Sequence, residues 1–548
     1  MYKLFTNLII VIGLVVCNNL AVATNHSGQI TSDATWYSAG NPHIITGTVI
    51  VDGAKLTMEP GVRVYLNQYQ SLIIQNGGTL KAIAPTDNKI YFSSIDSTNP
   101  SAGDWGQLLF SGSVNDTLSN CIIRYGGRGG YYVINPVVEV NNSNSYFNRC
   151  KLYNHSQMGF KFSGSPQARV SDCQIYNCGA EDHNNGDAFC VDGDLSLLPT
   201  IYFTHPESLS SYIYSNWGNG IRLNGTLTSN ATWRDMGPCY WLRSVDLNVS
   251  NCQLTLEPGV IIKFSTYRFI SFENGGTLHA IGNTGNAIYF TSYRDDYRQD
   301  TDGGGSSNGA AGDWGQLLFS GSVNDTLSNC IIRYGGRGGY YVTNAMVNFT
   351  NSNPSLTYCQ LDNGIDTLIS ITHNSNPSIH NCTLLFPRTK WGMVNQDTTR
   401  IINADSNYWN DPSGPYDQTN GHPDYNPNGL GCRVSDYIQY RPWLDSIHVS
   451  ITGDDDKTNI PNQYILSQNY PNPFNPFTTI EYILPKRTFV TLQIYDVLGR
   501  LVKILVNDEQ PAGYHQITWD ASGQASGMYF YRFQAGRFVE KKKMTLLK

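Results

Sequence analysis

Charge is scarce in this sequence. Asp, Glu, Lys and Arg together make up 14% of its 548 residues, against about a quarter in an average soluble domain. Beyond the first two dozen residues there is no apolar run long enough to span a bilayer. No stretch carries apolar residues at sustained helical spacing, which excludes a helical bundle. The chain has no His-Glu-x-x-His, no phosphate loop and no Cys-x-x-Cys, so the short signatures of zinc hydrolysis, nucleotide binding and thiol redox chemistry are missing. A single Gly-x-Ser-x-Gly, Gly305 to Gly309, sits in a polar loop without the preceding strand and following helix that a nucleophile elbow needs.

What is present is Gly, Asn, Ser, Thr and 35 Tyr, the composition of an extracellular, turn-rich β protein. Residues 1–23 read as an export signal: Lys3, the apolar run Leu8 to Val16, then Ala21-Val22-Ala23 at the cleavage site. Val16 before Cys17 is too bulky for a lipoprotein signal. The mature protein is therefore expected to be exported, with no transmembrane segment. Residues 24–463 hold 25 Lys and Arg against 37 Asp and Glu, whereas residues 464–548 hold 10 against 6. An acidic body excludes nucleic acid as a partner, because phosphates demand a basic surface. It also disfavours a bare polyanion unless metal ions bridge the like charges.

One long repeat organises the chain. The 31 residues GDWGQLLFSGSVNDTLSNCIIRYGGRGGYYV occur at Gly103–Val133 and again, letter for letter, at Gly312–Val342. The match extends outward, with Leu56–Ser94 resembling Leu254–Ser292 and DATW at Asp33 resembling NATW at Asn230. The copies span about 33–175 and 230–384. Between the two matched stretches the second copy carries an acidic insertion, YRDDYRQDTDGGGSSNGA, Tyr293 to Ala310. Within each copy, short β-rich triplets recur between Gly, Asn, Ser and Asp turns at roughly 20–30 residues, the spacing of a solenoid whose coils bury one another. Cys121, Cys150, Cys173 and their counterparts Cys330, Cys359 and Cys382 each stand two residues before Ile or Leu. The alternation of a strand puts both on one face, so stacked interior thiols are expected. Cys252 fits the same pattern. Cys178, Cys190, Cys239 and Cys432 do not, and are the disulfide candidates.

The ordered motifs LTMEPGV, NGGTLKAIA, KIYFSS and GDWGQLLFSG, each copied once, resemble the right-handed parallel β-helix proteins of bacterial cell surfaces. SNYWNDPSGPYD (Ser406 to Asp417) and YRPWL (Tyr440 to Leu444) look like a segment that closes such a helix. The resemblance implies an all-β, single-stranded parallel solenoid over 24–449, followed by a linker at 450–463. PNPFNP, YDVLGRLV, PAGYHQITWD, GMYFYRF and the basic KKKMTLLK, all within 464–548, resemble the type A C-terminal sorting domain of the type IX secretion system. That implies a small Ig-like sandwich recognised by the outer-membrane translocon, and a protein either secreted or attached to the outer cell surface.

Three places could carry chemistry. EDHNNGDAFCVDGD holds Glu181, Asp182, His183 and Asp187, with Asp192 and Asp194 beyond. Carboxylates beside a histidine could act as acid and base on a sugar bond or bind a cation; the plainer expectation is a solvated loop. Tyr65, Tyr69, Tyr131, Tyr132, Tyr267, Tyr340 and Tyr341 could form an aromatic strip for sugars. Asp295, Asp296, Asp300 and Asp302 in the insertion could hold calcium, or be neutralised by Arg294 and Arg298 in a solvated loop. The function expected is that of a binding, adhesin or structural protein contacting polysaccharide or cell-envelope glycan. The alternative is a polysaccharide lyase or glycoside hydrolase of the β-helix class.

Overall fold

The computed structural model describes residues 23–547 apart from 129–135, 180–186, 205–212, 215, 217, 297–300, 302–308, 339–343, 420–422, 448–463, 467–468, 470–471, 485–487, 511–512 and 537. The chain forms two compact units. One is Met1–Ala188 with Tyr202–Trp217, and the other is Phe189–Ile201 with Gly218–Lys548.

The first unit is a parallel β-helix with three strands per coil. One face is a seven-stranded parallel sheet that includes Lys55–Met58, Thr79–Ile83, Asp116–Ser119, Asn144–Asn148 and Gln167–Ser171. A second face is made by Arg63–Leu66, Ile90–Ser94, Cys121–Arg124, Lys151–His155 and Gln174–Cys178, in parallel register. A third is made by Leu72–Gln75, Leu108–Ser111, Val138–Asn141 and Phe160–Ser163.

Alternation sends every second side chain inward, and the register aligns these residues into columns. Met58, Ala82, Leu118, Phe147 and Val170 form one; Val64, Phe92, Ile123, Leu152 and Ile175 form the next. Nearly all are fully buried, and each large aliphatic or aromatic side chain so buried contributes about 1.5–3 kcal/mol. Phe147 packs edge-on to Phe110 and Phe160, with centroids 5.7 and 4.9 Å away.

The cysteines mark a corner. The residue before each of them adopts a left-handed backbone: Asn120, Arg149, Asp172, Asn251, Asn329, Tyr358 and Asn381 have φ of 54°, 52°, 53°, 55°, 50°, 54° and 56°. Asn visits this region at least cost among residues with a side chain, which accounts for the recurrent Ser-Asn-Cys. The turn sends the chain from one sheet to the next and drops the thiol into the interior, so all six matched cysteines are fully buried. Cys150 N–H donates to Cys173 Sγ over 3.4 Å. Burial holds the Cys121 and Cys173 thiols well above the usual thiol range. The disulfide expectation for Cys178, Cys190, Cys239 and Cys432 is corrected: all four are buried thiols without a disulfide. Cys239 Sγ meets Thr301 Oγ1 at 3.4 Å and Cys432 Sγ meets the Leu384 carbonyl at 3.9 Å.

The second unit repeats this plan. Its inward column Trp233, Leu256, Ala280, Leu327, Leu356 and Ile379 runs through a six-stranded parallel sheet. Trp105 and Trp314, at the start of the identical block, occupy equivalent buried sites and donate to the carbonyls of Arg124 and Arg333, both over 2.8 Å. The closing segment covers the last coil: buried Asn407 accepts the Cys382 N–H at 2.8 Å and donates to Ile379 O at 2.7 Å. The C-terminal module has two antiparallel sheets, one of Ile465–Leu466, Phe477–Leu484 and Gly513–Asp520, the other of Thr488–Asp496, Leu501–Gln510, Gly527–Ala535 and Phe538–Leu546. They share a core that includes Ile480, Tyr482, Trp519, Leu492, Ile494, Tyr531 and Phe533, so the module is a sandwich. Among the described residues no helix is long and apolar enough to cross a membrane.

Candidate functional site

Outward positions on the second face of the first unit also form columns. Register places Tyr65, Ser93, Arg124, Tyr153 and Tyr176 in one, and Arg63, Tyr91, Ile122, Lys151 and Gln174 in the other. Arg63 is exposed, and apart from the buried Ser93 the remaining members are half-buried. The Tyr153 and Tyr176 rings lie parallel, 4.9 Å apart with 2° between planes, so together they present hydroxyls and edges. Arg124 reaches back to Ser93 Oγ (3.1 Å) and across to the Tyr153 hydroxyl (3.4 Å). No carboxylate stands in either column. The face therefore combines aromatic edges, hydroxyls and three cations, within a chain whose body is acidic.

The second copy holds the same column differently. Its members are Lys263, Thr291, Arg333 and Asp362, and Lys263 and Thr291 are fully buried. Ile261, Tyr289 and Ile331, which replace Arg63, Tyr91 and Ile122, are 5%, 1% and 3% exposed and cluster with Cys239 and Ala287. The described residues of the insertion meet this cluster at Cys239, whose Sγ lies 3.4 Å from Thr301 Oγ1. Arg333 grips the Asp295 carboxylate with Nε at 2.7 Å and Nη2 at 2.9 Å, Thr291 Oγ1 donates to that carboxylate, and Lys263 Nζ reaches the Asp295 carbonyl at 2.5 Å. Further on, buried Thr301 accepts the Asn219 N–H through its carbonyl at 3.4 Å.

Asp295 is thus held in place by Arg333, Thr291 and Lys263. Asp296 is half-buried beside it, while Asp300 and Asp302 lie outside the described residues. Glu181, Asp182 and His183 lie outside them as well. Asp187 departs from the solvated loop expected of it: it is fully buried at the start of the strand Asp187–Asp194. Burial pushes the nearby Cys178 thiol up, and Asp187 adds to the shift. Asp192 accepts from Asn224 Nδ2 at 2.9 Å, and Asp194 accepts from Ser196 N–H at 2.9 Å and Thr228 Oγ1 at 2.5 Å, bonds that tie turns together. Among the described residues no group of three or more His, Cys, Asp and Glu side chains is gathered where it could hold a metal ion.

Of the tyrosines singled out, Tyr65 joins the open column. Tyr69 and Tyr267 are 61% and 51% exposed. Arg128 lies over the Tyr69 ring at 4.3 Å and Arg337 over the Tyr267 ring at 4.6 Å, so the duplication reproduces a surface Arg–Tyr stack. Tyr131, Tyr132, Tyr340 and Tyr341 lie outside the described residues. Sequence reasoning missed Tyr91, Arg124, Tyr153 and Tyr176. For Arg124, Tyr153 and Tyr176 the signal was the third residue after each patterned cysteine, which alternation turns outward; for Tyr91 it was the place between inward Ile90 and Phe92.

Residues 468–546 match the family model of the secretion system C-terminal sorting domain. The chain therefore carries a type IX sorting domain that directs export, followed by secretion or attachment to the outer cell surface. No curated protein matches the chain. Among solved structures, it is similar to the enzymatically active domain of bacteriophage CBA120 tailspike protein 4, at 12% identity and a TM-score of 0.16, over 95% of this chain and 62% of that one.

Proposed function

We propose that this protein is a surface-delivered β-helix that binds polysaccharide along the open outer face of its first unit. The supporting observation is the half-exposed column of Tyr65, Arg124, Tyr153 and Tyr176 flanked by Tyr91, Arg63 and Lys151. Tyrosine offers an apolar body with a polar tip, which suits a chain of hydroxylated rings. Coils repeat every 4.8 Å or so, and an extended polymer can follow such a ladder where a small ligand cannot. Binding is favoured over lyase or hydrolase chemistry because this face carries no carboxylate to pair with a base. The domain scheme of 1–23 signal, 24–449 β-helix, 450–463 linker and 464–548 Ig-like sorting domain goes with this reading.

The test is retention of the full secreted chain on a panel of neutral and acidic polysaccharides, with a Tyr153→Ala, Tyr176→Ala double variant alongside. The wild type is expected to be retained by at least one polymer and the variant about tenfold less. Equal retention of a variant with unchanged circular dichroism would sink the assignment to this face. Release of reducing or unsaturated products would favour the enzyme reading.

A further inference from the structure

We propose that Arg124 and Ser93 form a carboxylate-binding site, and that the polysaccharide taken by the first unit is acidic, built from uronate residues. This rests on the polysaccharide reading above and narrows it.

The argument comes from the protein's own duplicate. Thr291 and Arg333 are the second-copy equivalents of Ser93 and Arg124, each pair standing one residue beyond the paired Phe92–Ile123 and Phe290–Ile332. In the second copy that pair holds a carboxylate: both Asp295 oxygens face the Arg333 guanidinium, at 2.7 and 2.9 Å, and the Thr291 hydroxyl donates to one of them. A forked guanidinium matches a carboxylate bidentately, which an ammonium cannot do. Asp295 thus shows what an arginine and a hydroxyl at these two positions recognise.

In the first copy the cradle persists and its occupant does not. Ser97 stands at the position equivalent to Asp295 and is exposed. Asp96 beside it turns its carboxylate to its own loop, accepting from Thr98 N–H (2.9 Å), Thr98 Oγ1 (2.8 Å) and Asn99 N–H (3.1 Å). Arg124 forms no ion pair with any described residue. It is held instead by Ser93 and Tyr153, which fixes the guanidinium before a ligand arrives and reduces the ordering cost of binding. Arg63 and Lys151 add positive charge on the same face, and neither column contains an acid to repel an anionic chain. A uronate carboxylate would take the place that Asp295 takes in the second copy, with Tyr153 and Tyr176 alongside.

The experiment measures calorimetric binding of the full chain to a uronate oligosaccharide and to the same oligosaccharide after reduction of its carboxyls to alcohols. The wild type is expected to prefer the uronate form by at least tenfold. Arg124→Lys keeps the charge, loses the fork, and should cut that preference several-fold; Arg124→Ala should abolish it. Arg333→Lys, whose carboxylate is internal, should leave the preference intact. Equal affinity of the wild type for both forms would overturn the carboxylate site while leaving the polysaccharide reading standing. A preference that survives Arg124→Ala would also overturn it. Absence of binding to both forms would overturn the two together.

Discussion

Asp116 offers a measurement of how the solenoid core treats charge. It sits in an otherwise apolar or small-residue inward column, in register after Leu80 and before Ser145, and is 1% exposed. Its carboxylate accepts from Leu80 N–H (2.8 Å), Ser113 Oγ (2.5 Å) and Ser145 Oγ (3.0 Å). Those bonds favour the ionised form, yet burial outweighs them and pushes the pKa from 3.8 up to about 6. A carboxyl that binds its proton more tightly when folded stabilises the fold at low pH and loses that contribution as pH rises. The window runs from about 4 to about 6. A shift of about two units corresponds to about 3 kcal/mol, at 1.36 kcal/mol per unit, an upper figure for a group whose neighbours can relax.

Asp116→Asn removes the ionisation and keeps an acceptor for Leu80 N–H, while the serine hydroxyls can turn to accept from the amide. Urea denaturation of wild type and variant between pH 4 and 7 should show the wild type losing about 1–3 kcal/mol relative to the variant across that range, with most of the change between 4 and 6. Asp325, its second-copy counterpart, is also pushed up by burial, and Pro354 stands where Ser145 supplies a hydroxyl in the first copy. Adding Asp325→Asn should therefore enlarge the difference with the same sign. Parallel stability curves for wild type and variants through this window would refute the reasoning, as would a difference that grows toward low pH.

Two further outcomes follow from the identical block and the corner cysteines. A Cβ added at Gly126 would lie 2.7 Å from Trp105 Cε2 and Cζ2 and from Val137 Cγ2, and at Gly335 equally close to Trp314. Gly126→Ala and Gly335→Ala should each cost about 1–3 kcal/mol by overpacking, read as a lowered denaturation midpoint with tryptophan fluorescence; an unchanged midpoint would contradict the packing described. Cys121, Cys150, Cys173 and their three counterparts should resist a thiol reagent in the native protein and react on denaturation, and rapid native labelling would count against the buried stack.

The fold was legible because its rules are local. Cys followed by any residue and then Ile or Leu states which side chains face inward, and the Asn before it states where the corner falls. Two copies of Trp105 and its surroundings then demand two equal cores. Disulfide pairing was misjudged because Cys178, Cys190, Cys239 and Cys432 lie off the corner pattern yet still point into coil interiors, where no spacing rule separates a buried thiol from a bridged one. The candidate face was half legible. Alternation turns Arg124 and Tyr153 outward, but whether an outward residue meets water depends on what another segment lays over it. Asp295 read as one of several repelling acids because the sequence does not show that Arg333, 38 residues on, comes round one coil to meet it.

Duplication with unequal cover gives these two units different surfaces from the same letters. Ile122 and Ile331 belong to one identical run of 31 residues, yet the first is half-buried and the second nearly sealed. Their coils need the same inward residues, so the inward columns are alike in both copies. The outward columns are free to diverge, and Ile261, Lys263 and Asp362 stand in the second copy where the first has Arg63, Tyr65 and Tyr153. The insertion supplies the internal acid, Asp295, that satisfies Arg333, and Ser97 stands at that position in the first copy. Net charge then misleads about partners: exposed charges are screened beyond about 8 Å at physiological salt, so the chain's overall sign does not decide what a site at Arg124 takes. An acidic protein can in this way carry a cationic, tyrosine-lined strip.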